Sequence, residues 1–205
     1  QSADEVLATI AEHARTHPYQ SPVIGIGFLA PAFGVNGPTA AELDAVIPDR
    51  PALIIDEGGH TAWANTLALK AAGISQETPD PVPGAHFFQR DESGNPTGWL
   101  VEGAAIDPVS EALGLVSEEA LALAAPGFFE EMSAVGLTAA FDAGMIDTGE
   151  KGRALALDMA EAGAFPLRMV ASLYVNQPEQ LPDALAVLAE LNERYQHPLF
   201  TGSTL

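Results

Sequence analysis

The spacing of apolar positions changes along the chain and divides the sequence into two halves. In the second half, short apolar runs alternate with stretches whose apolar residues recur every three to four positions. Over residues 136–200 this pattern predicts the order strand, helix, strand, helix, strand, with short connections. Such an order is typical of βαβ units and a parallel sheet.

The first half has a less regular pattern. Ser2 and Glu5 have the spacing of a capping box, and apolar residues at helical spacing follow them. The apolar run 22–29 predicts a buried strand, and Thr39 predicts the cap of a short helix. A helix, a strand and a second helix in this order do not yet define a fold class.

A hairpin is predicted further along the first half. The stretches 86–90 and 98–102 read as strands on either side of a wide turn. We therefore expect an α+β subdomain over residues 1–105 and a βαβαβ segment over residues 106–205. The predicted fold class is α/β.

The stretch from Leu53 to Leu69 places several reactive side chains beside a change in period. An apolar strand ends at Asp56, a glycine turn follows, and His60 is predicted at the entrance of a helix that carries Trp63 and Asn65. Glycines let a ligand approach the backbone closely. We therefore expect a site on this stretch.

Two carboxylates are candidates for acid–base chemistry together with His60. Asp56 and His60 converge on one turn and could share a proton or orient a substrate, or each could cap the local backbone. Glu102 ends a hairpin strand, where a period of two places it on the same face as Leu100. That position fits a paired or site carboxylate as well as a solvated one.

Asp142 is a third candidate, because it ends the predicted strand over residues 137–141. In a parallel sheet the carboxyl ends of the strands face the ligand site. The alternative is that Asp142 caps the loop that follows it.

A metal site is not apparent from the histidines. The five histidines form no H-x-H and no H-E-x-x-H motif. His13 and His17 are four residues apart and could chelate a metal on one helix face, but histidines near a helix end also suit the helix dipole.

The amino-acid composition limits the classes of partner and of chemistry that the protein can use. Eight basic residues against 28 acidic residues give a formal net charge of −20, which repels nucleic acid and anionic membranes. The absence of cysteine excludes thiolate chemistry. No apolar run is long enough to span a bilayer, and no targeting segment is recognisable. We expect a cytoplasmic protein that binds neither membrane nor nucleic acid.

Several motifs occur in an order that is specific to one family. In chain order they are Leu43-Asp44, Pro48-Asp-Arg-Pro51, Gly59-His60-Thr-Ala-Trp63-Ala-Asn65-Thr-Leu-Ala-Leu69, Asn95-Pro-Thr-Gly-Trp-Leu-Val-Glu102 and Gly136-Leu-Thr-Ala-Ala-Phe-Asp142. This order resembles the YtcJ-like branch of the amidohydrolase superfamily, whose members are metal-dependent hydrolases with a TIM-barrel fold. The resemblance covers almost the whole chain.

The resemblance implies an enzyme that hydrolyses C–N bonds of small amides, ureas or formamides with a divalent metal such as zinc. In that family the H-x-H pair precedes the region matched here, and the later metal ligands follow it. The chain is then an internal part of a longer enzyme and is expected to bind no catalytic metal by itself. Residues 1–105 become an insertion subdomain, and residues 106–205 become strands two to four of the (β/α)8 barrel.

The same resemblance assigns roles to the candidate residues. His60 and Glu102 would orient substrate or relay protons, and substrate contacts would come from Trp63, Asn65 and Asp142. Asn65 could equally have a structural role at a helix entrance. A non-catalytic binding or regulatory domain derived from the family is the alternative function. Open strand edges in a partial barrel also predict self-association.

Overall fold

The computed structural model describes residues 2–115, 117–145, 149–175 and 178–202. The chain divides into two compact units at residues 115/116. Both units combine helices and sheets, so the α/β class predicted from the sequence is confirmed. Among the helices that are described, none combines the length and apolar character needed to cross a membrane.

The first unit is built on a five-stranded sheet with the order β1-β2-β3-β5-β4. β1 and β2 are parallel, and the other neighbours are antiparallel. The strands are β1 (Val23–Phe28), β2 (Ala52–Asp56), β3 (Thr61–Ala64), β4 (Phe87–Arg90) and β5 (Pro96–Val101). The helices are α1 (Ala3–Thr16), α2 (Ala40–Val46), α3 (Thr66–Ala71) and α4 (Gly103–Ala112).

Local capping determines where the first two helices begin. Ser2 and Glu5 form the predicted capping box at the start of α1, and Thr39 and Glu42 form a second one at the start of α2. In each box, side chains and backbone N–H groups satisfy each other at a helix end that otherwise lacks partners. The predicted hairpin is also confirmed as β4 and β5.

The predicted helix that carries Trp63 is wrong at its beginning. Residues Thr61–Ala64 form strand β3, which pairs antiparallel with β2 and places Trp63 opposite Ile54. Helix α3 begins only at Thr66, with Asn65 as its N-cap. The glycine turn therefore closes a β-hairpin, and His60 lies at the end of that turn rather than at a helix entrance.

Both faces of this sheet are covered. One core cluster joins Leu53, Ala62 and Leu100 to residues of α3 and α4. The other joins Ile54 and Trp63 to residues of α1 and α2. Since successive side chains of a strand point to opposite faces, the hairpin supplies both cores.

The contact boundary lies ten residues beyond the predicted one at 105/106, because α4 packs against α3, β3, β4 and β5 of the first unit. The interpretation of residues 1–105 as an insertion and of residues 106–205 as barrel strands stays a prediction.

The second unit has a four-stranded sheet with the order β6-β7-β9-β8. The first three strands are parallel, and β8 is antiparallel to β9. The strands are β6 (Ala139–Asp142), β7 (Arg168–Ala171), β8 (Gln196–His197) and β9 (Phe200–Gly202), and the helices are α5 (Glu118–Ala134), α6 (Gly149–Glu161) and α7 (Ala184–Arg194). The predicted alternation with a parallel sheet is confirmed.

Helix bounds in the second unit differ from the prediction. The long helix predicted from residue 178 is a 3-10 turn over Pro178–Gln180, followed by α7 from Ala184. The start of α6 was predicted at Thr148, which lies outside the described residues.

Within the described part of the second unit, the two faces of the sheet differ in how far they are covered. Ala140, Met169 and Phe200 belong to the core that includes residues of α5 and α6. On the opposite face, Phe141 is 64% exposed and lines, with Val170, an open cavity of about 690 Å³. Parallel sheets are normally covered on both faces. Coverage of this face by a second copy of the chain stays a prediction.

Candidate functional site

The structure brings His60 and Glu102 together, although they are 42 residues apart in sequence. β3 and β5 pair with Thr61 opposite Val101, and the backbone N–H of Glu102 donates to the carbonyl of His60 at 2.7 Å. The side chains then meet, with 3.1 Å between His60 Nδ1 and Glu102 Oε2. Two residues that the sequence singles out separately therefore form one hydrogen-bonded pair.

Glu102 does not continue the strand as predicted. β5 ends at Val101, and Glu102 has a φ of 68°, in the left-handed region that side chains rarely adopt. Leu100 is fully buried, whereas the Glu102 side chain is 39% exposed, so the two do not share an environment. Glu102 is the N-cap residue of α4, but its carboxylate does not cap that helix and is available to His60.

Asp56 closes the turn that presents His60. Its Oδ1 accepts the backbone N–H of Thr61 at 3.0 Å, and its carbonyl accepts the N–H of Gly59 at 3.2 Å. This is the capping role that the sequence left open for Asp56. The carboxylate also adds a second negative charge near the imidazole.

The surroundings of His60 favour its charged form. The hydrogen bond to Glu102 and the charge of that carboxylate raise the pKa of His60, and the charge of Asp56 raises it further. The His60 side chain is 72% exposed, so salt will weaken these interactions. The site therefore presents an imidazole with one nitrogen held by a carboxylate and with its ring largely exposed to solvent.

An NMR titration of the histidine rings can test this electrostatic arrangement. We expect His60 to titrate above the ordinary histidine value of about 6.5. Because the pKa is raised in the folded state, the stabilisation from the pair is present below the unfolded pKa and is lost as the pH rises through the folded one. E102Q removes the main charge and is expected to lower the His60 pKa. D56N is the control and should lower it less; an unchanged value in E102Q would contradict the arrangement.

Trp63 lies in the core of the first unit, and the substrate contact predicted for it stays a prediction. Its side chain is fully buried among the core residues between the sheet, α1 and α2. The indole packs against Phe28 and Phe33, and its Nε1–H donates to the carbonyl of Thr39 at 2.7 Å. The surroundings of Trp63 give it a packing role.

Asn65 is also fully buried, and four backbone groups use its side chain. Its Oδ1 accepts the N–H groups of Ala52 and Ala68, at 3.0 and 2.9 Å. Its Nδ2 donates to the carbonyls of Ile47 and Arg50, at 3.1 and 2.9 Å. The structural role that the sequence left open for Asn65 accounts for all of these contacts.

Asp142 belongs to the second unit, where it ends β6 as predicted. Its Oδ1 accepts the backbone N–H of Met145 at 2.6 Å, which corresponds to the loop-capping alternative. The side chain is partly accessible, so a substrate contact stays a prediction.

The described residues bring no three His, Asp or Glu side chains together in an arrangement that could hold a metal ion. The rings of His13 and His17 stack at 4.2 Å, and His13 Nε2 is bonded to Gln20 Oε1 at 2.8 Å. The metal that the resemblance implies, and its identity, stay predictions.

His86 is the residue that sequence reasoning missed. Its Nδ1 accepts the backbone N–H of Ala104, in the first turn of α4, at 3.2 Å. The sequence signal that could have found His86 is its position directly before β4, because the pairing of β4 with β5 places that position opposite Glu102.

Comparison with known structures agrees with this fold. An uncharacterized metal-dependent hydrolase from Pyrococcus horikoshii OT3 matches 98% of this chain and 36% of its own length, with a TM-score of 0.57 and 18% identity. A second uncharacterized metal-dependent hydrolase, from Pyrococcus furiosus, matches with a TM-score of 0.54 and 17% identity. These matches show a fold shared with metal-dependent hydrolases.

The sequence assigns the chain to a family. The amidohydrolase family matches residues 1–202, so the chain belongs to the amidohydrolase family, and the resemblance stated from its motifs is confirmed. The exoenzymes regulatory protein AepA of Pectobacterium carotovorum is 30% identical over 198 residues, which cover 95% of this chain and 42% of AepA.

Two further relatives match about half of the chain. The N-substituted formamide deformylase of Arthrobacter pascens is 44% identical over 103 residues, covering 50% of this chain and 19% of that enzyme. YtcJ of Bacillus subtilis, named as an amidohydrolase, is 37% identical over 117 residues, covering 54% and 22%. The chain thus spans less than half the length of each of these relatives.

Proposed function

We propose that this chain supplies a wall of the active site in a metal-dependent hydrolase that acts on C–N bonds of small amides, ureas or formamides. The contact between His60 and Glu102 carries the proposal, since it holds a polarised, solvent-accessible imidazole at one end of a sheet. Membership of the amidohydrolase family and the similarity to a formamide deformylase support the reaction class.

The pair can perform proton chemistry with its own atoms. With His60 protonated, Nδ1–H donates to Glu102 Oε2, which fixes the ring and leaves Nε2–H free. Nε2–H can donate to the carbonyl oxygen of an amide, or protonate its departing nitrogen, as general acid. Glu102 stabilises the charged ring before transfer. The described residues lack a metal-binding set, so no step of the metal is assigned to them.

Turnover by the natural protein that carries this sequence tests the proposal. With an N-substituted formamide as substrate, H60A is expected to lower kcat/KM about a hundredfold, because a positioned general acid contributes at least that factor. E102Q should have a smaller effect, since it leaves the imidazole in place but less charged. H13A, which replaces a half-buried histidine of α1 outside the His60–Glu102 pair, is the matched control and should retain the wild-type rate. Wild-type turnover in H60A would refute the catalytic role.

Similarity to AepA supports a second candidate, a regulatory domain without catalysis. That relative is named as a regulatory protein and matches 95% of the chain, more than the deformylase does. The same assay separates the two functions. A natural protein that hydrolyses no amide, urea or formamide when supplied with divalent metal would favour the regulatory function.

A further inference from the structure

Three neighbouring strands of the first sheet terminate at the same edge, where β3 and β4 begin and β5 ends. The terminal residues Thr61, Val101 and Phe87 pair side by side across the sheet. The next row along consists of His60, Glu102 and His86. Glu102 therefore lies between two histidines, with His60 on the β3 side and His86 on the β4 side.

Helix α4 begins at this row, and its first N–H groups need acceptors. Ala105 and Ile106 donate to the carbonyl of Glu102, at 3.0 and 3.2 Å. An N-cap side chain ordinarily accepts another of these donors, but the carboxylate of Glu102 is bonded to His60 instead. His86 Nδ1 accepts the N–H of Ala104 at 3.2 Å and so takes the place of the capping side chain.

His86 is itself held in place. Its backbone N–H donates to the carbonyl of Val82 at 2.8 Å, and its carbonyl accepts the N–H of Val82 at 3.0 Å. The residue is half-buried, unlike His60. A fixed backbone on one side and a hydrogen bond to α4 on the other make the imidazole a support between β4 and the helix.

This contact defines the state of the His86 ring. A nitrogen that accepts a hydrogen bond carries no proton, so the proton of neutral His86 is on Nε2. The tautomer can be observed by NMR in the wild-type protein.

We propose that His86 is a positioning residue: by capping α4 in place of Glu102, it leaves the Glu102 carboxylate free to hold His60. The use of the pair in catalysis rests on the proposed function, whereas the positioning itself does not. Glu102 has a left-handed backbone conformation, which a non-glycine residue keeps only when its surroundings fix it. It therefore needs a neighbouring support such as His86.

The test measures the His60 titration by NMR in H86A and H86N. The charged groups that face His60 are Glu102 and Asp56, and neither is altered in these variants. In H86A the His60 pKa is expected to fall toward the ordinary value, and amide exchange at Ala104 to accelerate about fivefold, as for loss of a helix cap. In H86N the amide oxygen can accept the Ala104 N–H, so both values should return toward wild type.

H197A is the matched control, because His197 Nδ1 also accepts a backbone N–H, from Leu199 at 3.1 Å, but in the second unit. It should leave the His60 titration unchanged. An unchanged His60 titration in folded H86A, or a fall without rescue in H86N, would overturn the inference. If neither variant folds, the wild-type tautomer decides: a proton on Nδ1 of His86 contradicts the positioning, and a proton on Nε2 supports it.

These results are distinguishable from failure of the proposed function. Full turnover in H60A would contradict the catalytic role of the pair. It would leave the positioning role open, because that role is tested by the titration of His60 in proteins that retain it. An unaltered titration in H86A removes the positioning role and does not affect the turnover result.

Discussion

Replacement of Asn65 by leucine is expected to lower the free energy of unfolding of the first unit by about 4 kcal/mol. The side chain is fully buried and serves four backbone groups from three segments: two N–H groups and two carbonyls. Leucine is similar in size but can neither donate nor accept. Each buried polar group that loses its partner costs about 1–3 kcal/mol, and relaxation recovers part of the total.

Urea unfolding followed by tryptophan fluorescence measures this change. The protein has two tryptophans, Trp63 and Trp99, and both lie in the first unit, so their emission reports on that unit. N95A is the control: Asn95 is exposed, and its side-chain amide donates hydrogen bonds to the carboxylate of Asp91. It should cost less than about 1 kcal/mol, because exposed contacts contribute little. A cost as small as that in N65L would contradict the structural role of Asn65.

Local signals in the sequence were sufficient for the features that depend on neighbouring residues. The predicted capping box at Ser2 and the predicted helix cap at Thr39 depend on residues within a few positions of each other, and both form. The parallel sheet of the second unit follows from the alternation of strand and helix periods, which is also readable locally. These features do not require knowledge of distant contacts.

The hairpin at residues 52–64 could not be predicted in the same way. A short apolar run such as that around Trp63 fits a buried strand or a helix equally well. Its state is decided by pairing with β2 and β5, where Trp63 lies between Ile54 and Trp99. These partners become neighbours only in the folded sheet, so tertiary contacts overrode the helical interpretation.

The candidate site shows the same division. Composition and turn chemistry single out His60, and its strand end singles out Glu102, but nothing in the spacing pairs residues that are 42 positions apart. The pairing follows from the register of β3 and β5. The position of His86 directly before β4 is a weak signal, because an isolated histidine before a strand is compatible with many roles until the register of β4 and β5 is known.

Register also makes one glycine of the sheet difficult to replace. Gly98 lies in β5 with a φ of 102°, and an added Cβ would come within 2.6 Å of the carbonyl oxygen of Ala64 and 2.7 Å of the backbone nitrogen of Ala40. Both obstacles are backbone atoms, which cannot rotate away. G98A is therefore expected to destabilise the first unit by about 4 kcal/mol, through backbone strain and overpacking together.

Gly27 separates these two causes, because it has the same φ of 102° in strand β1 but has no atom within 4 Å of an added Cβ. G27A should cost about 1–2 kcal/mol, the strain of the backbone conformation alone. The difference between the two variants in the same urea experiment measures the contact of β5 with α2 and β3. Equal costs for G27A and G98A would mean that the chain around Gly98 can move apart. In that case the close approach that joins β5 to α2 would not be a fixed feature of the fold.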